Sequence, residues 1–366
     1  MINKLQKIVI ATGGTGGHIF PAYSLAKHFA DKKISTEIIS DKRGLKYLKN
    51  LEDIKINEII SSRLPKKNIF RLIFSLLIMF YSFIKSLIFL IKIKPDLIFG
   101  MGGYSSFPAC LASKILRIPI IIYENNLHIG RANKYLLPFA KKILVSNIEL
   151  EGVEKKYKKK ICFVGNIIRK EILNFKRNKE INEDKTNLRI LILGGSQAAK
   201  VFGEKMPEVF VKCQKNNMSI KIYQQCLPEQ IDFLSSKYKG MNIDYSLFHF
   251  DSNILKYFSK VDLAITRSGS SVLAELINLN IPFVSVPLPK SADNHQLKNA
   301  IFYEKNQYSF LIEEINLKEK LFTILQKVYE DRSLLASMRR KQKQHSDKFV
   351  YEKIEEEIKK LIDEKY

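Results

Sequence analysis

Residues 7–18 read KIVIATGGTGGH. An apolar run without alternation is what a parallel strand buried on both faces requires. The glycines behind it let the chain turn and let backbone N–H groups approach an anion at the start of a helix. Strand, glycine turn, helix is the opening of a Rossmann-like unit. Residues 188–200, LRILILGGSQAAK, repeat it. Two such openings about 180 residues apart predict two α/β domains in tandem, and a chain of 366 residues has room for both.

Working outward, further buried-strand patterns fall at Ser35–Ser40, Asp96–Gly100, Ile118–Tyr123 and Lys142–Val145, then at Ile220–Gln224, Leu263–Thr266 and Pro282–Val286. The charged stretch 177–187, RNKEINEDKTN, lacks apolar periodicity and reads as a linker or surface loop. The expected layout is an N-terminal Rossmann-like domain over 1–165, a linker over 166–187, and a second Rossmann-like domain over 188–345. A terminal helix over 346–366 then carries Val350, Ile354, Ile358 and Leu361 on one stripe, suited to packing back on the first domain.

The stretch Ile69–Ile93 reads IFRLIFSLLIMFYSFIKSLIFLIKI, with 13 uncharged residues between Arg71 and Lys85. A spanning helix needs about 20 apolar residues, so the charges at Arg71, Lys85 and Lys92 predict a helix lying in a lipid interface instead. Basic residues number 61 against 37 acidic, a net charge of +24. That balance favours an anionic partner: nucleic acid, an anionic membrane surface or a phosphorylated substrate. Part of the lysine excess follows from a composition crowded with Ile, Lys and Asn. No nucleic-acid-binding signature is present and the glycines follow strands, so no nucleic acid is expected. Cys110, Cys162, Cys213 and Cys226 lack metal-ligand spacing and predict buried thiols in a reducing compartment. No apolar signal core opens the chain, and secretion is not expected.

The glycine loop Gly13–His18 is neither a dinucleotide fingerprint, since Ile19 stands where its third glycine would fall, nor a Walker loop. It is an anion-approaching loop with His18 at its lip, a candidate general base. In Gly194-Gly-Ser-Gln197, Ser196 is placed to donate to a phosphate oxygen. Arg267-Ser-Gly-Ser-Ser-Val-Leu-Ala-Glu275 follows a strand and suits a helix start with free N–H groups. Glu275, a carboxylate near such a start, fits a ribose diol; a surface charge that stabilises the helix dipole is its other reading.

The blocks GGTGGH, MGGYSSFPA, YENN, VGN, GGSQ, RSGSSVLAE and PLPKSADNHQLKNA, spread over residues 13 to 300, resemble in order those of the MurG family of N-acetylglucosaminyltransferases. The resemblance implies a GT-B fold, two Rossmann-like domains facing an interdomain cleft. The first domain would take the acceptor and meet the membrane; the second would bind the UDP-sugar. It implies an inverting transfer of GlcNAc from UDP-GlcNAc to the MurNAc 4-hydroxyl of lipid I, giving lipid II for peptidoglycan. It further implies neither cofactor nor structural metal, and a peripheral location on the cytoplasmic face of the plasma membrane. By position, Thr15, Gly16 and Gly17 would lie against the phosphates, with His18 the base. Asn126 would bond the GlcNAc ring, and Arg169 and Ser196 the diphosphate. Phe250 lies where the backbone reads uracil. Ser270, Ser271, Val272, Leu273 and Ala274 would offer amides to phosphate and sugar, Glu275 would hold the ribose, and Gln296 the sugar hydroxyls. Ile167 replaces a frequent Pro, Ala198 a Gly, and Asn125 a Gln. A related glycolipid synthase or a UDP-GlcNAc epimerase would share the donor site; a basic nucleic-acid-binding protein is the alternative of another class.

Overall fold

The computed structural model describes residues 5–48, 53–62, 68–175, 187–195, 199–241, 243–249, 251 and 253–363. The chain divides into two compact units, Met1–Arg169 with Asp347–Tyr366, and Lys170–Ser346.

The first unit carries a seven-stranded sheet of β1 (Lys7–Ala11), β2 (Ser35–Ser40), β3 (Lys55–Glu58), β4 (Leu97–Gly100), β5 (Ile120–Glu124), β6 (Lys142–Val145) and β7 (Ile161–Phe163). The order is β3-β2-β1-β4-β5-β6-β7, and every pair is parallel. Ile8 sits opposite Thr36 on one side and Leu97 on the other. Ile8, Val9, Ile10 and Ala11 are wholly buried, as a central strand covered on both faces must be. Helices α1 (Gly16–Asp31), α2 (Lys42–Leu48), α3 (Ile69–Ile93), α4 (Ser106–Ile115) and α5 (Arg131–Leu136) make the crossovers.

The second unit repeats the plan with six strands: β8 (Leu188–Leu193), β9 (Ile220–Gln225), β10 (Asp244–Phe248), β11 (Leu263–Thr266), β12 (Phe283–Ser285) and β13 (Ser309–Leu311). They lie in the order β10-β9-β8-β11-β12-β13 and are again parallel. Its helices are α6 (Lys170–Leu173), α7 (Lys200–Lys215), α8 (Ile231–Gly240), α9 (Leu255–Phe258), α10 (Ser270–Asn278), α11 (His295–Lys305), α12 (Leu317–Glu330) and α13 (Ser333–Gln342). In both sheets the strand order reverses beside the first strand, between β1 and β4 and between β8 and β11. Such switch points open a crevice at the carboxyl ends of the strands.

The last helix, α14 (Val350–Asp363), belongs to the first unit. Val350, Ile354 and Ile358 are fully buried. Polar contacts fix its register: Lys142 Nζ to Glu357 Oε2 at 2.6 Å and His28 Nε2 to Glu355 Oε1 at 2.6 Å. Residues 166–168, the start of the stretch expected as linker, are buried in this unit instead. The Asn166 N–H donates to Asp347 Oδ1 at 2.8 Å, and the Tyr351 hydroxyl donates to the Ile168 carbonyl at 2.7 Å. Residues 176–186 of that stretch lie outside the described residues.

Helix α3 is built inside out. Its buried residues are Ser75, Ser82, Ser86 and Leu90. Small side chains let it lie close to the unit, and Ser82 Oγ donates to the Ile60 carbonyl. Ile69, Phe70, Ile73, Phe74, Leu76, Leu77, Phe80, Tyr81, Ile88 and Ile91 are each at least half exposed. The expectation from its charges was a helix too interrupted to span a bilayer. Its 25 residues are nevertheless long and apolar enough to cross one, by length and composition. Phe83, Leu87, Phe89 and Ile93 pack on the core formed with α4, α5 and the sheet.

Candidate active site

In the first unit the loop after β1 is held from several sides. Thr12 donates from its N–H to the Ile39 carbonyl at 2.9 Å and from Oγ1 to the His18 carbonyl at 3.2 Å. Thr15 caps α1 in extended backbone, and the His18 N–H closes on the Thr15 carbonyl at 3.1 Å. Thr15 is exposed, Gly16 buried, and Gly17 and His18 half-buried. The loop after β4 packs onto this one, backbone against backbone. A Cβ on Gly103 (φ +81°) would come 2.3 Å from the Gly13 carbonyl oxygen, and one on Gly102 (φ +85°) would reach the His18 ring at 2.9 Å. The His18 imidazole therefore lies over Gly102, at the switch point. The sequence pointed to His18 from its glycine loop; its glycine support came only as part of a resembling block.

One expectation needs narrowing. Not every N–H of the glycine loop is open to an anion. The Gly14 N–H donates to Asp41 Oδ1 at 3.1 Å. Asp41, at the end of β2 and 3% exposed, also accepts from the Gly44 N–H at 3.0 Å, Arg43 Nη2 at 2.6 Å and the Ser61 hydroxyl at 2.7 Å. Burial pushes its carboxyl up, but the bonds from Ser61, Arg43, Gly14 and Gly44 outweigh that and hold it below the usual carboxylate range. Sequence reasoning missed Asp41, which sits in an unremarkable polar stretch.

Asn126 enters from the loop after β5. Its amide nitrogen donates to Glu124 Oε1 at 3.0 Å and to Asn125 Oδ1 at 3.1 Å. Both amide hydrogens are thus spent within the protein. Glu124, 1% exposed, is satisfied by N–H donors: Asn126 N at 3.1 Å, Gly130 N at 2.8 Å and Asn133 Nδ2 at 3.0 Å, besides the Asn126 amide. Asn125 Nδ2 donates to the Gly17 carbonyl at 2.8 Å. Asn126 and the His18 loop therefore belong to one network. Arg169 is half-buried at the end of the segment behind β7.

In the second unit the loop after β8 begins with Gly194, whose N–H donates to Gln225 Oε1 at 3.1 Å. Gly195 follows at φ +77°, with open space where a Cβ would stand. Ser196 and Phe250 lie outside the described residues. Behind β11, Arg267 bonds Glu314 Oε2 at 2.5 Å and stacks over Phe202 at 5.1 Å. Gly269 then caps α10 in extended backbone. Here the expectation is corrected in part. The Leu273 N–H donates to the Gly269 carbonyl at 3.2 Å; Ala274 comes one residue deeper, where helix amides bond within the helix. The first-turn amides of Ser270, Ser271 and Val272 come before any intrahelical acceptor. Leu273 and Ala274 are buried and root that turn in the core. Glu275 is half-buried on α10. Gln296, half-buried on α11, accepts the Leu288 N–H at 2.9 Å through its carbonyl. Among the described residues no cluster of His, Cys, Asp and Glu could hold a metal ion.

Known proteins share this architecture. The glycosyltransferase family 28 N-terminal domain matches residues 8–145, and the family 28 C-terminal domain matches residues 189–356. A UDP-N-acetylglucosamine--N-acetylmuramyl-(pentapeptide) pyrophosphoryl-undecaprenol N-acetylglucosamine transferase of Pelagibacter ubique is 35% identical over 323 residues, 88% of each chain. Its namesake in Rickettsia canadensis is 34% identical over 92% of this chain and 96% of its own. The crystal structure of Acinetobacter baumannii MurG superposes with a TM-score of 0.78 at 24% identity, covering 96% of this chain and 99% of that one. The fold is that of the GT-B glycosyltransferases.

Proposed function

The chain belongs to glycosyltransferase family 28 and, within it, to the MurG family, and from that premise we propose that it transfers GlcNAc from UDP-GlcNAc to the MurNAc 4-hydroxyl of lipid I, releasing UDP and lipid II. The observation that carries the chemistry is the His18 imidazole seated over Gly102 where the loops after β1 and β4 meet. His18 takes the proton of the attacking hydroxyl as its oxygen bonds C1 of the GlcNAc from the face opposite UDP, inverting that centre. The C1–O bond to UDP breaks, and the leaving diphosphate gains charge. First-turn amides of α10, with Arg169 and Ser196, stabilise that charge more than they stabilise the bound donor, which lowers the barrier. Asn126 accepts a hydrogen bond from the sugar. Glu275 accepts from the ribose hydroxyls, and Gln296 meets the sugar.

The lipid acceptor gives α3 a role. Its serine face and Phe83, Leu87, Phe89 and Ile93 are committed to the unit, so only the opposite face is left to lipid. A helix with one side in protein and one in acyl chains lies along a membrane. The excess of basic residues suits an anionic, cytoplasmic leaflet. Phe74→Ser with Phe80→Ser should reduce binding to anionic vesicles about 10-fold while activity on a water-soluble acceptor survives. Unchanged vesicle binding with a lowered melting temperature would make the helix core instead.

The deciding assay incubates the protein with radiolabelled UDP-GlcNAc and a lipid I analogue. Label should enter a lipid-soluble disaccharide. Conversion of UDP-GlcNAc to an epimer, with no labelled lipid, would replace this reading with the epimerase one.

A further inference from the structure

We propose that Gln225 is a positioning residue for the nucleotide, a single side chain that locks the loop after β8 to the segment after β10. The inference rests on the donor-site reading above. It starts from two hydrogen bonds. Gln225 Oε1 accepts the Gly194 N–H at 3.1 Å, and Gln225 Nε2 donates to the His249 carbonyl at 3.0 Å. The residue ends β9, which lies between β8 and β10 in the sheet, so its carboxamide reaches one neighbour on each side. It is 8% exposed. An acceptor at one end and a donor at the other, in one planar group, is what a side-chain amide offers. A glutamate there would face the His249 carbonyl without a proton to give.

The two segments it joins carry different parts of a nucleotide. In a doubly wound sheet, phosphates lie at the glycine loop of the first strand and the nucleoside extends over the strands beside it. Here the first strand is β8 and those neighbours are β9 and β10. The segment after β10 is braced locally as well. The Cys226 N–H donates to the Phe248 carbonyl at 2.9 Å, and His249 Nδ1 meets the Cys226 carbonyl at 3.1 Å. Phe248 stacks on Tyr257 at 4.3 Å, and the Tyr257 hydroxyl donates to Asp251 Oδ2 at 3.2 Å. The glycine loop has open space beside Gly195. The bond from Gly194 to Gln225 therefore ties the start of this loop to a braced segment. The arrangement holds the backbone of Gly194 and His249 at a fixed separation before the ligand arrives, which removes an ordering cost from binding.

The experiment is calorimetric titration of UDP and of uridine into the wild type, Gln225→Met and Gln225→Glu, with melting temperatures and donor and acceptor kinetics alongside. Gln225→Met, nearly isosteric, should raise the Kd of UDP about 10-fold and that of uridine about 3-fold, the loss being larger where both segments are used. KM for UDP-GlcNAc should rise with it, while kcat and the acceptor KM stay within about 3-fold. Gln225→Glu keeps an acceptor for Gly194 but not a donor for His249, so it should lose uridine affinity as Gln225→Met does. It carries the test if the Met variant melts too low to titrate. UDP and uridine affinities unchanged in a folded variant would overturn the proposal. So would equal rises in donor and acceptor KM, which mark a general loss of structure. A wild type that binds no UDP would overturn the donor-site reading itself, and this inference with it.

Discussion

The glycine loops behind β1 and β8 occupy the same place in the same topology, yet they are held very differently. Behind β1, Asp41, Asn125 and Ser105 bond the loop backbone, and Gly103 presses against the Gly13 carbonyl. Behind β8, among the described residues, one side chain holds Gly194, and Gly195 has nothing within 4 Å of where a Cβ would be. On the proposed mechanism the difference follows from what each loop does. A general base must stand at hydrogen-bond distance from the proton it takes, and misplacement of the order of 1 Å costs about 10²-fold. The proposed diphosphate-binding loop tolerates a looser fit, and one side chain, Gln225, sets the place of its first glycine.

The largest expected effect tests the first half of that contrast. His18→Ala should lower kcat by about 10²-fold or more with UDP affinity little changed, since base catalysis contributes on that scale. Steady-state kinetics beside UDP titration reads both, and near-normal turnover would remove His18 from the chemistry. Next come two matched substitutions. Gly103→Ala places a methyl 2.3 Å from backbone oxygen at a positive φ, whereas Gly195→Ala meets the same φ penalty in open space. The first should cost more than about 2 kcal/mol by chemical denaturation and the second about 1 kcal/mol. Equal losses would erase the contrast between a packed loop and an open one.

Glu275→Ala comes third. A carboxylate accepting from a ribose diol contributes mainly to ground-state binding, so KM for UDP-GlcNAc should rise about 10-fold. Replacing UDP by 2′-deoxy-UDP should harm the wild type far more than the variant, because both changes delete one contact. Strict additivity would place Glu275 away from that hydroxyl. The smallest effect concerns Asp41. Its folded-state carboxyl is held low, so its stabilisation is complete above the ordinary aspartate pKa of about 3.9 and fades as pH falls through the folded value. The melting-temperature gap between wild type and Asp41→Asn should therefore be widest near pH 6 and close below about pH 4. A gap independent of pH would mean the carboxylate's charge does not hold the loop.

Much of this was legible in the chain itself, and what was not has a common cause. The central strands announced themselves as unbroken apolar runs. The strands that escaped notice are β3, β7, β10 and β13, the four sheet edges. An edge strand is covered on fewer sides, and these are short and half-exposed, so they carry no apolar run to read. Site residues followed the same rule. His18 and Glu275 stand beside glycine-rich or serine-rich turns whose backbone chemistry is visible in sequence. Asp41 and Gln225 act on those turns from other strands, and only the folded sheet brings them near. The face of α3 was legible as apolar; that its serines point inward required the packing.

The first unit is closed by a helix from the far end of the chain. During synthesis, Met1–Arg169 leaves the ribosome long before α14 exists. At about 5–20 residues per second, the 180 residues between them take about 9–36 s to make. Over that interval the patch that receives Val350, Ile354 and Ile358 is uncovered, while the apolar face of α3 is already complete. The order of manufacture thus leaves the nascent half with two sticky surfaces. Only one of them is ever sealed by the chain's own last turns.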